Sequence, residues 1–185
     1  MKAVKWKNEA RRIARPIESA DDITRIRQSL VNKPRDLLLF DMATQTGAPA
    51  EQWLRLKAGQ LCDLVPGDRL PLTSKGKHSK SIAVMNAILH HSLRKYLDEV
   101  KPAETDYIFK SRKGSGPLTL SSVSRIVKKW LKANKIEGHG SLLSLRKTWA
   151  LHAAESTPAP ESLNKDFRTP DYLRPVRVPT RQEMV

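Results

Sequence analysis

The sequence predicts an α+β chain, mostly α, in which helices flank a small three-stranded antiparallel sheet. Three observations lead there. Apolar residues recur at helical spacing in the segments 19–56 and 85–155. Between them, from Leu61 to Val84, the period shortens around a Pro66-Gly67-Asp68 turn. Beyond Glu155, five prolines (Pro158, Pro160, Pro170, Pro175 and Pro179) rule out a continuing helix.

Each element has its own signal. Ser19, followed by Asp21 and Asp22, starts a helix, with acids at the positive end of its dipole. Ile23, Ile26 and Leu30 share its apolar face. Pro34 suits a first helical turn, and a second helix runs from it to Gly47. A short helix is expected from Pro49 to Leu56. Leu61–Val65, Arg69–Thr73 and Lys80–Val84 read as the three strands, with Ser74–Ser79 as a basic loop. Ile88, Leu89, Leu93, Tyr96 and Leu97 define a helix over 85–99. Tyr107-Ile108-Phe109 reads as a short buried segment, and Lys113–Pro117 as a loop. Ser121 or Ser122 is expected to cap a helix that buries Val123, Ile126, Val127, Trp130 and Leu131. A last helix covers 143–155. The expected organisation is a basic arm at 1–16, one domain at 17–155 and a Pro-rich tail at 156–185.

The 185 residues suffice for one domain with a core. Lys and Arg number 34 against 19 Asp and Glu, a formal net charge of +15. Such a surplus favours a polyanionic partner, because each cation that neutralises a phosphate releases a condensed counterion. A single cysteine, Cys62, excludes an intramolecular disulfide and suits a reducing cytoplasm. No flanking pattern supports reactivity, so Cys62 reads as a buried apolar residue. No apolar run approaches the roughly 20 residues that span a bilayer, and Met1–Pro16 lacks the apolar centre of a signal peptide.

The cations cluster. Lys110, Arg112, Lys113, Arg125, Lys128, Lys129, Lys132 and Lys135 follow one another with no intervening acid. Arg125, Lys128, Lys129 and Lys132 fall at helical spacing opposite the apolar stripe. A solvated helix face is usually mixed in sign; this one is not, which points to phosphate contact. Lys75, Lys77, His78 and Lys80 form a second basic point, and the N-terminal arm (Lys2, Lys5, Lys7, Arg11, Arg12, Arg15) a third. Contacts of this kind position a protein on duplex DNA without reading its sequence.

Several segments together resemble the catalytic domain of tyrosine recombinases, the phage integrases. Asn32-Lys33-Pro34-Arg35-Asp36-Leu37-Leu38-Leu39-Phe40, then Thr46-Gly47, then Leu54-Arg55-Leu56-Lys57 resemble its opening. Tyr107-Ile108-Phe109-Lys110-Ser111-Arg112-Lys113-Gly114 is similar to its Leu-Phe-x-Ser-Arg-x-Gly stretch. Ser144-Leu145-Arg146-Lys147-Thr148 is similar to its second-arginine box. The resemblance spans about residues 17–170 in the right order, with no counterpart of the smaller domain that usually comes before it.

The resemblance implies a chemistry without metal or nucleotide cofactor. Two arginines and a His or Lys surround the scissile phosphate and stabilise its transition state. A hairpin lysine protonates the leaving oxygen, and a tyrosine near the C-terminus attacks. Carried over, the second arginine is Arg146 with Lys147 after it, and the hairpin lysine is Lys75, with Lys77 the other choice. Four positions depart from the pattern: Pro49 for the first arginine, Leu143 for the histidine, Thr169 for the later His or Trp, and Val178 for the tyrosine. His139, four residues before Leu143, is a substitute only if the backbone bends there. Tyr172 is the alternative nucleophile, although Pro170 and Pro175 flank it.

Three readings follow. The first is a DNA-binding protein of recombinase fold with impaired or no cutting activity, an accessory or regulatory factor of a mobile element. The second is a working recombinase using Tyr172 or a tyrosine supplied by another subunit. The third is an RNA-binding or scaffold protein, for which no aromatic stacking surface is apparent. The expected partner is double-stranded DNA and not a membrane, with a homo-oligomer or another partner held through the tail left open. The expected location is the cytoplasm, with the nucleoid, a plasmid or a phage.

Overall fold

The computed structural model describes residues 14–72, 83–112, 114–136 and 140–155. Lys75, Lys77, His78, Lys80, Lys113, His139, Thr169, Tyr172 and Val178 lie outside them. Six α-helices are described: α1 (Ala20–Leu30), α2 (Pro34–Gln45), α3 (Ala50–Trp53), α4 (Ala87–Val100), α5 (Leu120–Ala133) and α6 (Leu142–Glu155).

Helix α2 is the axle. Every residue from Leu37 to Thr44 is buried, the pattern of a helix enclosed on all sides. Helices α1, α4 and α6 pack on it. Helix α4 runs antiparallel to it: Asn86, the α4 N-cap, donates from Nδ2 to Gln45 Oε1 at 2.8 Å, while Arg35 and Val100 meet at the other end. The buried charge in α2 is Asp41, which is 0% exposed. Arg27 of α1 grips it with two hydrogen bonds, Nε at 2.7 Å and Nη2 at 2.9 Å. Burial pushes the Asp41 carboxyl above its usual range, outweighing the opposing effect of Arg27.

Ser19 caps α1 as its sequence predicts, its Oγ accepting from Asp22 N at 3.4 Å. The cap of α5 is Thr119 rather than Ser121 or Ser122. Its Oγ1 accepts from Ser122 N at 3.2 Å and donates to Ser122 Oγ at 2.9 Å, so Ser122 is the partner of the cap. The chain entry is sewn to α6: Ile17 N donates to Thr148 Oγ1 at 2.8 Å, and His152 Nε2 meets Ile17 O at 3.1 Å.

The mixed, mostly helical class holds, but Leu61–Val65 is not a strand. Ala58–Gln60 is a 3-10 turn, closed by Lys57 N donating to Gln60 Oε1 at 2.8 Å, and the turn continues through Asp63. Leu61 and Leu64, three residues apart, face the core while Val65 is exposed; that spacing fits a helical turn as well as a strand. The other two expected strands do meet. Arg69 and Val84 form an antiparallel bridge, with Leu70 N bonded to Ala83 O at 2.9 Å and Met85 N to Asp68 O at 2.8 Å. Lys57 pairs instead with Tyr107, and Lys110 with Pro117. Ile108 and Phe109 are buried, Phe109 edge-on to Trp53 at 5.5 Å.

Candidate phosphate-binding cleft

The end of α2 is a tightly bonded turn. Thr46 Oγ1 donates to Met42 O at 2.7 Å and accepts from Ala48 N at 3.3 Å. Trp53 Nε1 donates to Ala48 O at 3.2 Å. Gly47 has φ +61°, a left-handed conformation that favours glycine, and a Cβ there would run into the indole of Trp149. Arg146 of α6 donates from Nε to Gly47 O at 2.8 Å. The turn therefore fixes the arginine, and α6 lies against the turn through Trp149.

These contacts frame an open cleft of about 340 Å3 between the α2–α3 turn and the starts of α5 and α6. Pro49, Leu143 and Arg146 line it together. Sequence resemblance gave these three positions to one phosphate clamp, and the fold brings them side by side. Arg146 is the one cation among the described lining residues. Leu143 is 53% exposed, an apolar side chain presented to solvent. Glu51 also lines the cleft, and sequence reasoning missed it: only the single turn of α3 puts this acid on the same cleft as Arg146. Ala48, Trp53 and Leu120 make the rest of the wall largely apolar.

The basic face of α5 is as its spacing predicts. Val123, Val127, Trp130 and Leu131 are buried, with Trp130 edge-on to Phe40 at 5.9 Å. Arg125, Lys128, Lys129 and Lys132 are exposed on the other side, and none is in an ion pair among the described residues. Arg125 is steered by its own helix, donating to Ser121 O at 3.4 Å and Ser122 Oγ at 3.3 Å. Ser124, one turn from the α5 start, lines the cleft, so the charged face and the cleft adjoin.

The remaining cations behave differently. Lys110 is tied to Asp106 at 2.7 Å, an acid just outside the acid-free run, and Lys110 in turn holds the Asp106 carboxyl below its usual range. Arg112 is exposed, and Lys147 is half-buried beside Arg146. Cys62 is half-buried rather than buried, its Sγ donating to Gly59 O at 3.4 Å. Loss of water and neighbouring Asp63 push its thiol up, the wrong direction for a nucleophile. No group of His, Cys, Asp and Glu suited to a metal occurs among the described residues. No described helix is long and apolar enough to cross a membrane.

The sequence model of the phage integrase family matches residues 18–165. The chain belongs to the phage integrase family. Solved structures agree on the fold. XerA recombinase superposes with a TM-score of 0.64 at 20% identity, over 76% of this chain and 51% of that one. XerH site-specific recombinase, in a post-cleavage complex with palindromic difH substrate, gives 0.63 at 20% identity, over 84% of this chain and 48% of its own. The lambda integrase catalytic core gives 0.55 at 25% identity, over 86% of this chain and 95% of that core. This integrase-family chain thus spans about half the length of XerA and XerH, and nearly all of the lambda catalytic core. No characterised protein sequence matches it at a significant level.

Proposed function

We propose that this protein holds duplex DNA on a phage integrase scaffold without cutting it, as an accessory or regulatory factor of a mobile element. One observation carries the reading. In the cleft lined by Arg146, the positions expected for an arginine and a histidine are Pro49 and Leu143, and Glu51 adds a negative charge. Cleavage must stabilise extra charge on a phosphate, and removing one preorganised donor commonly costs on the order of 10²–10³ in rate. A proline and a leucine offer neither charge nor donor, and a carboxylate opposes the charge that develops. Arg146, held by Gly47 O, is placed to contact a phosphate without completing the clamp.

Grip comes from α5. Its four exposed cations, next to the cleft, neutralise phosphates in a way that depends on salt and not on base sequence. On this reading residues 1–16 act as a basic arm, residues 156–185 as a separate tail, and Lys75, Lys77, His78, Lys80, Lys113 and His139 as further DNA contacts. The protein works in the cytoplasm, where its DNA is.

Nicked suicide duplexes test the absence of cutting. No denaturation-resistant protein–DNA adduct is expected; an adduct that disappears in Tyr172→Phe would overturn the proposal. Duplex affinity measured over a salt series tests the grip. A steep fall with salt is expected, and a flat response would remove the phosphate-contacting surface.

A further inference from the structure

A second cleft, of about 450 Å3, opens at the opposite end of α2 from Arg146, where the antiparallel α4 ends. The 12 residues of α2 separate the two clefts by about 18 Å at roughly 1.5 Å per residue. Arg35, Lys101, Lys110 and Arg112 line it, with Tyr96 and Tyr107 as aromatic walls. Asp106 is the one acid in its lining.

The charges divide into paired and unpaired. Lys110 is matched by Asp106 at 2.7 Å, and Arg35 by Asp36 at 2.7 Å. Lys101 and Arg112 are exposed and in no ion pair among the described residues. Two positive charges are left over, which suits a dianionic group. Lys101 is held there at φ 48°, as the C-cap of α4. A left-handed non-glycine residue is strained, and such strain gathers at functional positions.

Tyr96 adds a neutral donor to these charges. It is 4% exposed and lines the cleft. Its hydroxyl makes no hydrogen bond to a described residue and opens on the cleft, where it is free to donate. A phenol O–H beside guanidinium and ammonium groups is a donor waiting for an acceptor with several oxygens. Phosphate has that number of oxygens and matches the double charge.

We infer that this cleft is a phosphate-binding site separate from the Arg146 cleft, taking either a free oligophosphate or a phosphate of a nucleic-acid strand. The inference does not rest on the DNA-binding reading, because its first test uses no DNA. The full chain is titrated calorimetrically with inorganic tripolyphosphate at low salt. A tightest site that depends on the residues of this cleft is expected. Tyr96→Phe and Arg112→Ser should each weaken it about tenfold, the scale of a lost hydrogen bond to a charged group. Arg125→Ser on α5 should change it less than about twofold, as expected for a site lying elsewhere. Unchanged binding in both cleft variants overturns the proposal. So does an equal loss in Arg125→Ser, which would mean a diffuse positive field. Tyr96→Phe removes one oxygen and keeps the packing, so its result does not depend on a damaged fold.

A competition then separates the sources. Displacement of a bound duplex by saturating tripolyphosphate, with a duplex salt slope lower by about one in Arg112→Ser, identifies a strand phosphate. Independent binding of duplex and tripolyphosphate identifies a free anion.

Discussion

The two ends of α2 carry clefts of similar size and opposite chemistry. The one at the α2–α3 turn measures about 340 Å3, has mostly apolar walls, and carries one cation, Arg146, and one acid, Glu51, among its described lining residues. The one at Arg35 measures about 450 Å3 and sets four cations against Asp106. Family membership directs attention to the first. Charge directs it to the second and to α5. On the proposed reading, the scaffold keeps the architecture of a phosphate clamp while the capacity to hold anions lies elsewhere. The cleft is framed by contacts such as Gly47 against Trp149 and Arg146 Nε on Gly47 O, in which the side chains of Pro49 and Leu143 take no part.

The largest expected effect breaks that architecture. Gly47→Ala forces a side chain into a left-handed position and into the Trp149 ring. A loss of about 3–5 kcal/mol in denaturant unfolding is expected. The cleft at Arg35 should be spared so long as the protein stays folded, so tripolyphosphate binding should survive. Loss of both together would show that the two ends are not independent.

Next in size is the shared axle. Asp41→Ala leaves Arg27 facing a cavity without its carboxylate, and about 3 kcal/mol should be lost. Its pH dependence has a definite sign. Burial raises the Asp41 pKa in the folded protein, so its ionised form weakens the folded state relative to its protonated form. The stability Asp41 contributes is present in full below the unfolded carboxyl pKa and is lost as pH rises through the folded one. Between about pH 7 and about pH 4, the stability of wild type relative to Asp41→Asn should therefore rise as pH falls. Thermal unfolding of the two proteins side by side measures it.

These positions also mark how far the sequence could be read. Ser19, Pro34 and the α5 stripe were legible because caps, first-turn prolines and helical periodicity are local signals. Pro49, Leu143 and Arg146 were legible as one group through the resemblance alone; 97 residues separate Pro49 from Arg146. Glu51 was not legible, since its place in the cleft wall depends on a single helical turn that no periodicity can orient. Leu61–Val65 misled because a Leu61/Leu64 spacing serves a turn and a strand alike. The cleft at Arg35 was invisible for a different reason. It needs the antiparallel register of α2 and α4 to bring Arg35 beside Lys101, and Lys110 reads as a free cation until Asp106 is found against it.

A smaller effect sharpens the contrast from the depleted side. Pro49 caps α3 at φ −57° and ψ 135°, a conformation open to arginine. Pro49→Arg would add a cation to the cleft beside Arg146. One added phosphate contact should steepen the duplex salt slope by about one and tighten binding at low salt several-fold, roughly 1 kcal/mol. No covalent adduct should appear, because Leu143 and Glu51 are unchanged. An unchanged slope would mean that duplex DNA does not reach this cleft.

The smallest effect tests the cation-rich side by setting stability against binding. Lys101 holds φ 48° at the C-cap of α4, where glycine is the residue of least strain. Lys101→Gly should relieve on the order of 1 kcal/mol of backbone strain. It also forfeits a few tenths from a cation at the negative end of a helix and lengthens the list of conformations lost on folding. A net gain near 0.5 kcal/mol is expected in denaturant unfolding. Tripolyphosphate affinity should move the other way and fall several-fold. A lysine kept only as a helix cap would show the stability change with no change in binding. A lysine kept for an anion shows both, with opposite signs, and that opposition is what a binding site maintained against local strain requires.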